Sequence, residues 1–370
     1  MRIVIFSILF FIPAFSGNAL EASIIQEVDT THRVEVTKIY SEEERDVPNT
    51  NTKAKYQSFQ VTFLDGTMKG KTVTLDEGGF NVAVGDIFYL RYLKTNDGQE
   101  YFSLQEPYRF PALITLIVFF IILVLLLGGK HGFLSLVSLF ISFGVIFKFL
   151  FPELLSGANV IFVATSIALL SLFVVMYVTH GFTRLTTSAF LGSSGAVLVT
   201  VVLAKYAVAM TSLTGYAEEE SVYLNLATGG SLDFVALLIG GIIIGVIGVV
   251  DDVAITQASI VNELRQANKN LSRFEVYTKA LKVGKDHIGA VVNTLILAYT
   301  GASLPLVLLL YTSTSPFIEL FNREAIAVEV VRSVVGSIGL LLVMPLTTAI
   351  AVWLMYRNGS NDAHTHHHHH

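Results

Sequence analysis

Between Pro111 and Tyr356 the chain is a succession of apolar runs separated by short polar joints, and this spacing restricts the fold more than any other feature. Seven runs stand out: Pro111–Leu127, Phe133–Phe151, Asn159–Thr179, Thr186–Thr211, Asp233–Val261, Ile288–Tyr311 and Val330–Tyr356. A helix needs roughly 17–25 predominantly apolar residues to cross a hydrocarbon core. Within lipid, backbone polar groups must find partners inside the segment, so runs of this length read as helices. The expected architecture is an α-helical polytopic membrane protein of seven transmembrane helices. The fifth run exceeds the need and is expected to continue beyond the bilayer as a cytoplasmic helix. Composition agrees, since only 14% of the residues are charged, against about 25% in an ordinary soluble domain.

The charges are unevenly placed, with 25 of the 53 Asp, Glu, Lys and Arg residues lying within 20–109. There, apolar and polar residues alternate between turn signals. Gln60–Leu64 leads into Asp65-Gly66, Lys71–Leu75 is followed by Gly78-Gly79, Val84-Gly85-Asp86 opens Ile87–Tyr92, and Asn96-Asp97-Gly98 precedes Glu100–Leu104. Alternation bounded by Asp-Gly and Gly-Gly marks short antiparallel strands. Residues 20–108 are therefore expected to form a small N-terminal extracytoplasmic all-β domain, a barrel or sandwich, acting as a scaffold. Residues 1–19 read as a secretory signal peptide, with Arg2, the apolar stretch Ile3–Ile12, Pro13 and a small-residue cleavage site at Gly17-Asn18-Ala19. An uncleaved anchor is the alternative, but that stretch is too short to span. Residues 109–357 form the transmembrane domain. The tail, 358–370, ends in His366–His370 with His364 before them, and reads as a purification tag or a native metal-loading tail. Cysteine is absent, which leaves no disulfide, thiolate metal site or cysteine nucleophile. A net charge of −5 without a basic stripe implies no nucleic-acid surface.

Loop charge gives the orientation. Alternate joints carry Lys130 and His131; His180 and Arg184; Arg265, Lys269, Arg273, Lys279, Lys282 and Lys285; and Arg357. The opposite joints carry Glu153; Glu218, Glu219 and Glu220; and Glu319 and Glu324. The positive-inside rule places the first set in the cytoplasm. The chain is then a multi-pass protein of the bacterial cytoplasmic membrane, its β domain outside and its C-terminus inside. Residues 262–285 repeat Leu264, Leu271, Phe274, Tyr277 and Leu281 among basic residues, the pattern of an amphipathic helix on the membrane surface or of a solvated connector. Lys148, Lys205 and Arg332 lie near expected outer ends and are expected to snorkel.

The fifth run contains Asp251 and Asp252, in an otherwise uncharged stretch from Phe234 to Asn262. One ionised Asp at a membrane helix centre costs roughly 2.5–3.5 kcal/mol on insertion scales, and two neighbours also repel each other. Such a pair points to ion binding or proton movement. On a helix, Gly241, Gly245, Gly248, Asp252, Thr256, Ser259 and Glu263 share one face. Gly241, Gly245 and Gly248 are expected to admit a neighbouring helix closely, so that Asp252 faces packed protein, with Asp251 rotated by about 100°. The pair lies roughly 15 Å along the axis from Asn262. Ser193 and Ser194, Asn293 and Thr294, and Thr347 and Thr348 fall at similar depth on three other runs, and are candidate members of a proton or ion relay with Thr256.

The signal peptide, small β domain, apolar bundle and Asp-Asp helix together resemble the YibE/F-like bacterial membrane proteins. Gly248-Val249-Val250-Asp251-Asp252-Val253-Ala254-Ile255, followed by Glu263-Leu264-Arg265 and an Ala/Gly-rich next helix, is similar to the aspartate helix of resistance-nodulation-division exporters. SecD and SecF carry a related pattern. Without the first helix, six remain with the aspartates on the fourth, as in one half of such a transporter. This second resemblance implies proton relay by Asp251 and Asp252. The chain lacks the exporters' large extracytoplasmic domain and their second half with its partnering lysine, which calls for a homo-oligomer or a second membrane subunit.

The leading expectation is an ion-gradient-coupled, proton-driven transporter or translocation auxiliary in the lipid bilayer. The alternatives are a divalent-cation transporter, with Asp251, Asp252 and Asn293 as hard oxygen ligands for Mg or Mn, and a non-catalytic assembly or sensor protein. No cofactor is expected beyond protons or such a cation. An enzyme is not expected: His-Glu-x-x-His and Gly-x-Ser-x-Gly are absent, and the two aspartates are neighbours on one helix.

Overall fold

A computed structural model of the chain describes residues 28–46, 53–79, 81–95 and 97–356. The expected signal peptide and the His-rich tail lie outside the described residues. The chain divides between Leu123 and Val124 into two compact units.

The first unit carries one antiparallel sheet of five strands in the order β3-β2-β1-β4-β5. The strands are β1 (Val28–Asp46), β2 (Lys53–Phe63), β3 (Thr72–Gly78), β4 (Ile87–Lys94) and β5 (Glu100–Pro107). Strand β1 is long enough to pair with β4 through its first half and with β2 through its second, with register shifts near Lys38 and Ser41. Bulges bend and twist a sheet, and here the two edges come within side-chain reach. Glu77 on β3 accepts the Leu104 amide of β5 at 3.3 Å, and Lys71 pairs with Glu100 at 3.3 Å. The interior holds Val34, Val36, Phe59, Val61, Phe63 and Leu90, all nearly inaccessible. The expected strands are present, as one curled sheet rather than a sandwich. Gln57 is buried at its end, where its amide accepts from Val82 N at 2.7 Å and donates to Val82 O at 3.0 Å.

The helices begin with α1 (Phe110–Val145), which continues through a π-helical turn (Ile146–Leu150) into α2 (Phe151–Leu155). Then come α3 (Val160–His180), α4 (Arg184–Met210), α5 (Glu219–Ala227), α6 (Phe234–Ala267), α7 (Arg273–Ala302), α8 (Leu304–Thr312), α9 (Phe317–Phe321) and α10 (Glu324–Tyr356). Among the described residues, five helical stretches are long and apolar enough to cross a membrane, or six if one bent pair counts as a single span.

The difference from seven intact helices has two local causes. The first two expected spans form one helical stretch, Phe110–Leu155, broken at Gly129 with φ 53° and ψ −130°. Only glycine adopts that backbone readily. The break is sharp: a Cβ on Gly132 would run into the Val124 carbonyl, whereas residues eight apart on a straight helix are about 12 Å apart. The sixth span is split after Ala302 and bends by 71° into α8. Pro305 in the first turn of α8 removes an amide donor and disfavours helix in the residue before it.

Helices α4, α6 and α10 form the centre of this unit, with Ala196, Ile243, Val250, Ala254, Leu340, Val343 and Ala351 almost fully buried. The α4–α10 contact is built on small residues. A Cβ on Gly192 would lie 2.6 Å from Thr347 Cα, and one on Gly339 would strike Thr200. Outward-facing Leu198, Val202 and Tyr206 are at least half exposed, a broad apolar surface suited to lipid.

Both ends of α10 are fastened. At its start, the Glu324 carboxylate accepts from the amides of Thr214 and Gly215 at 2.7 and 2.9 Å and from the Thr214 hydroxyl. At its finish, the Tyr356 hydroxyl donates to the Leu271 carbonyl at 2.7 Å, and Arg265 and Arg273 lie over the Tyr356 ring. The basic segment 262–285 is not a separate surface helix. Its first residues complete α6 and its last ones start α7, behind a capping box in which Ser272 and Glu275 satisfy each other's amides. The Ser272 amide holds the Glu275 carboxyl below the usual carboxylate range. Val276 and Ala280 of this segment are fully buried.

Candidate functional site

The site is built on α6. Asp233 starts the helix, its carboxylate accepting the Ala236 amide at 3.0 Å. Thirty-four residues follow, about 51 Å of helix against a hydrocarbon core of about 30 Å. Ile239, Ile242, Ile243, Val246, Val250, Val253, Ala254, Ala258 and Val261 form the buried face. Gly241, Gly245, Gly248, Asp252 and Thr256 form the opposite face and are exposed within this chain. The expected close helix contact is not made at Gly241 or Gly248, where an added Cβ would meet nothing within 4 Å. At Gly245 a Cβ would lie 2.8 Å from the Tyr299 hydroxyl. The helix turns its larger branched residues inward because they bury more apolar surface than the glycines can. Asp252 accordingly lies on the open side and not against packed protein.

Asp251 is half-buried, and its Oδ1 accepts the Asp252 amide at 3.0 Å. It lines two hollows. The larger, a cleft of about 360 Å³, lies among α1, α3 and α6, and its polar wall is Ser135, Ser138, Ser142 and Ser171, with Gly248 near Asp251. Ser138 donates to the Ser135 carbonyl at 2.8 Å. The hydroxyls of Ser142 and Ser171 are buried without a hydrogen-bond partner among the described residues, which costs about 1–3 kcal/mol for each group left unsatisfied. The smaller hollow, about 100 Å³, is lined by Asp251, Asp252, Thr256 and His180.

Sequence reasoning missed five of these residues as site members. His180 was legible only as a loop charge, although it occupies the last turn of α3. Ser171 lies mid-run on α3 with nothing in the sequence to single it out. Ser135, Ser138 and Ser142 recur at three and four residues and so share a helix face, a signal that the spacing itself carries.

Of the relay candidates, Thr256 joins the aspartates, while Ser193, Ser194, Asn293, Thr294, Thr347 and Thr348 line neither hollow. Ser193 and Thr347 are fully buried, and the hydroxyls of Ser193, Ser194 and Thr347 have no hydrogen-bond partner among the described residues. Thr348 donates to the Met344 carbonyl at 2.6 Å and accepts from Gln257 at 2.8 Å. Thr294 bonds its own helix at the Ala290 carbonyl, and both Asn293 and Thr294 are exposed. The expected depth did not bring these residues to the pair: Thr348 meets Gln257, five residues past Asp252, and depth leaves the rotation of each helix open. Among the described residues, no group of three or more His, Asp or Glu is placed to hold a metal ion.

Gln257, five residues beyond Asp252, is buried and ties three helices together. Its Nε2 donates to the Ala280 carbonyl of α7 at 3.0 Å as well as to Thr348 of α10. Gly284 leaves the room for it, since a Cβ there would collide with the Gln257 amide and lie 2.7 Å from Met344 Sδ. Towards the other end, Arg332 does not snorkel freely but pairs with Glu329 at 2.9 Å and Glu218 at 3.6 Å.

No curated protein and no solved structure matches the chain. The model of one protein family does, over residues 116–357, a stretch that takes in every helix from most of α1 to the end of α10 and with them both hollows and both aspartates. On that match, the chain belongs to the YibE/F-like protein family.

Proposed function

We propose that this membrane protein is an ion-gradient-coupled transporter or translocation auxiliary, driven by protons, in which Asp251 and Asp252 are the coupling groups. The observation that carries this reading is the placement of two adjacent carboxylates on an apolar helix, where they line hollows that also hold four serines, Thr256 and His180 and, among the described residues, make no ion pair. Intramembrane acids of this kind are expensive and belong to ion pathways as a rule. We place the protein in the bacterial cytoplasmic membrane with seven spans. The sharp turn at Gly129 divides Phe110–Leu155 into two of them, and the bent pair α7 and α8 supplies one. On this topology the β domain is outside, and both aspartates are nearer the cytoplasmic side. The likeness of the aspartate helix to resistance-nodulation-division exporters and to SecD and SecF supports the proton role.

The test is ion flux in proteoliposomes, wild type against Asp251→Asn and Asp252→Asn. Either substitution should lower flux at least about a hundredfold, equivalent to roughly 2.7 kcal/mol, while the protein still inserts. Undiminished flux in both variants would overturn the proposal.

A further inference from the structure

We propose that the serine-lined cleft among α1, α3 and α6 is a water-filled access path, which delivers a small hydrated monovalent cation to Asp251. This rests on the transport reading and specifies its route. Three observations carry it. The first is Ser142 and Ser171, two residues of a largely apolar cleft wall, both more than nine-tenths buried, whose hydroxyls sit just behind that wall and lack a partner among the described residues. Serines on membrane helices ordinarily bond their own carbonyls, as Ser138 does here. Hydroxyls that both donate and accept are suited to ordered water.

The second is size: at about 30 Å³ per water, 360 Å³ holds about a dozen molecules. The third is charge. Among the described residues, Asp251 is the one ionisable group lining the cleft, so a single fixed negative charge faces whatever enters. That balances one monovalent cation, hydronium or Na⁺. A divalent ion beside that single carboxylate would leave one positive charge unbalanced.

Asp251 also lines the smaller hollow with Asp252 and His180. The order along the path is therefore the serine cleft, then Asp251, then Asp252. If the ion is hydronium, it gives its proton to the Asp251 carboxylate, leaving neutral water in the cleft and a carboxylic acid on the helix.

The chain has no cysteine, so single-cysteine labelling can be read without background. Ser142→Cys and Ser171→Cys in proteoliposomes should react with a cationic, water-soluble methanethiosulfonate, at least about tenfold faster than with an anionic one. Ile141→Cys, exposed on the same helix, should react with neither. Adding Asp251→Asn should abolish the cation preference and leave reaction with a neutral reagent unchanged. Flux should follow a pH gradient in choline, whereas flux driven by Na⁺ at equal pH would keep the path and reject proton coupling.

Unreactive Ser142→Cys and Ser171→Cys, or thiols reached only by a lipid-soluble maleimide, would overturn the path. Equal rates with cationic and anionic reagents would do the same. Loss of flux in Asp252→Asn together with unreactive thiols rejects the cleft and keeps the transport reading. Reactive, cation-selective thiols in a protein that moves no ion reject the transport reading instead.

Discussion

At Gln257 one side chain holds three helices in register beneath the aspartates. Its amide nitrogen satisfies Ala280 and Thr348, and its volume fills the notch left by Gly284. Gln257→Ala removes both bonds and opens a void, so we expect a loss of about 2–4 kcal/mol in stability. Thermal unfolding in detergent reads this directly, and a melting temperature within error of wild type would refute it. The same residue shows how far sequence alone reached. The charge of Asp251 and Asp252 in an apolar run was visible at once, because electrostatic cost depends on residue type. The partners of the pair were not, because a serine or threonine at the correct depth can face any direction. Ser193 and Thr347 were expected at the same level yet stand apart from both hollows, and His180 supplied the nearby ring.

At the scale of elements, the extents of α3, α4 and the β4 strand could be read from apolar length and alternation. Strand β1 was hidden by Glu42-Glu43-Glu44-Arg45, a charged tract that looks like a loop but lies in the half of β1 paired with β2. The break before α8 was written in Pro305, inside a run whose hydropathy stays high. Gly129 is the clearest element-scale lever. Its φ of 53° with ψ of −130° penalises any side chain, so Gly129→Ala should cost about 1–3 kcal/mol. We expect the variant to straighten the joint between the two halves of Phe110–Leu155. Spin labels on cysteines at the exposed positions Leu126 and Phe140, about 21 Å apart along a straight helix, would report it. A longer separation with Gly129→Ala than in the wild-type background is the expected result, and equal separations are the refutation.

For the molecule as a whole, the proposed topology makes a separate demand. Ser103 on β5 and Lys269 in the turn after α6 are both exposed, and they should lie on opposite sides of the membrane. In intact cells Ser103→Cys should react with an impermeant maleimide, and Lys269→Cys only after permeabilisation. The reverse pattern would invert the orientation and put the aspartates nearer the outside. The double fastening of α10 bears on how such a protein can move. Glu324 anchors one end of α10 to the loop after α4, and Tyr356 anchors the other to the turn after α6. Helices α4, α6 and α10 are therefore pinned as a stator. If access alternates by one bundle rocking against another, as in many transporters, the moving part on the proposed path would be α1 with α3, whose displacement would open or pinch the cleft in front of Asp251.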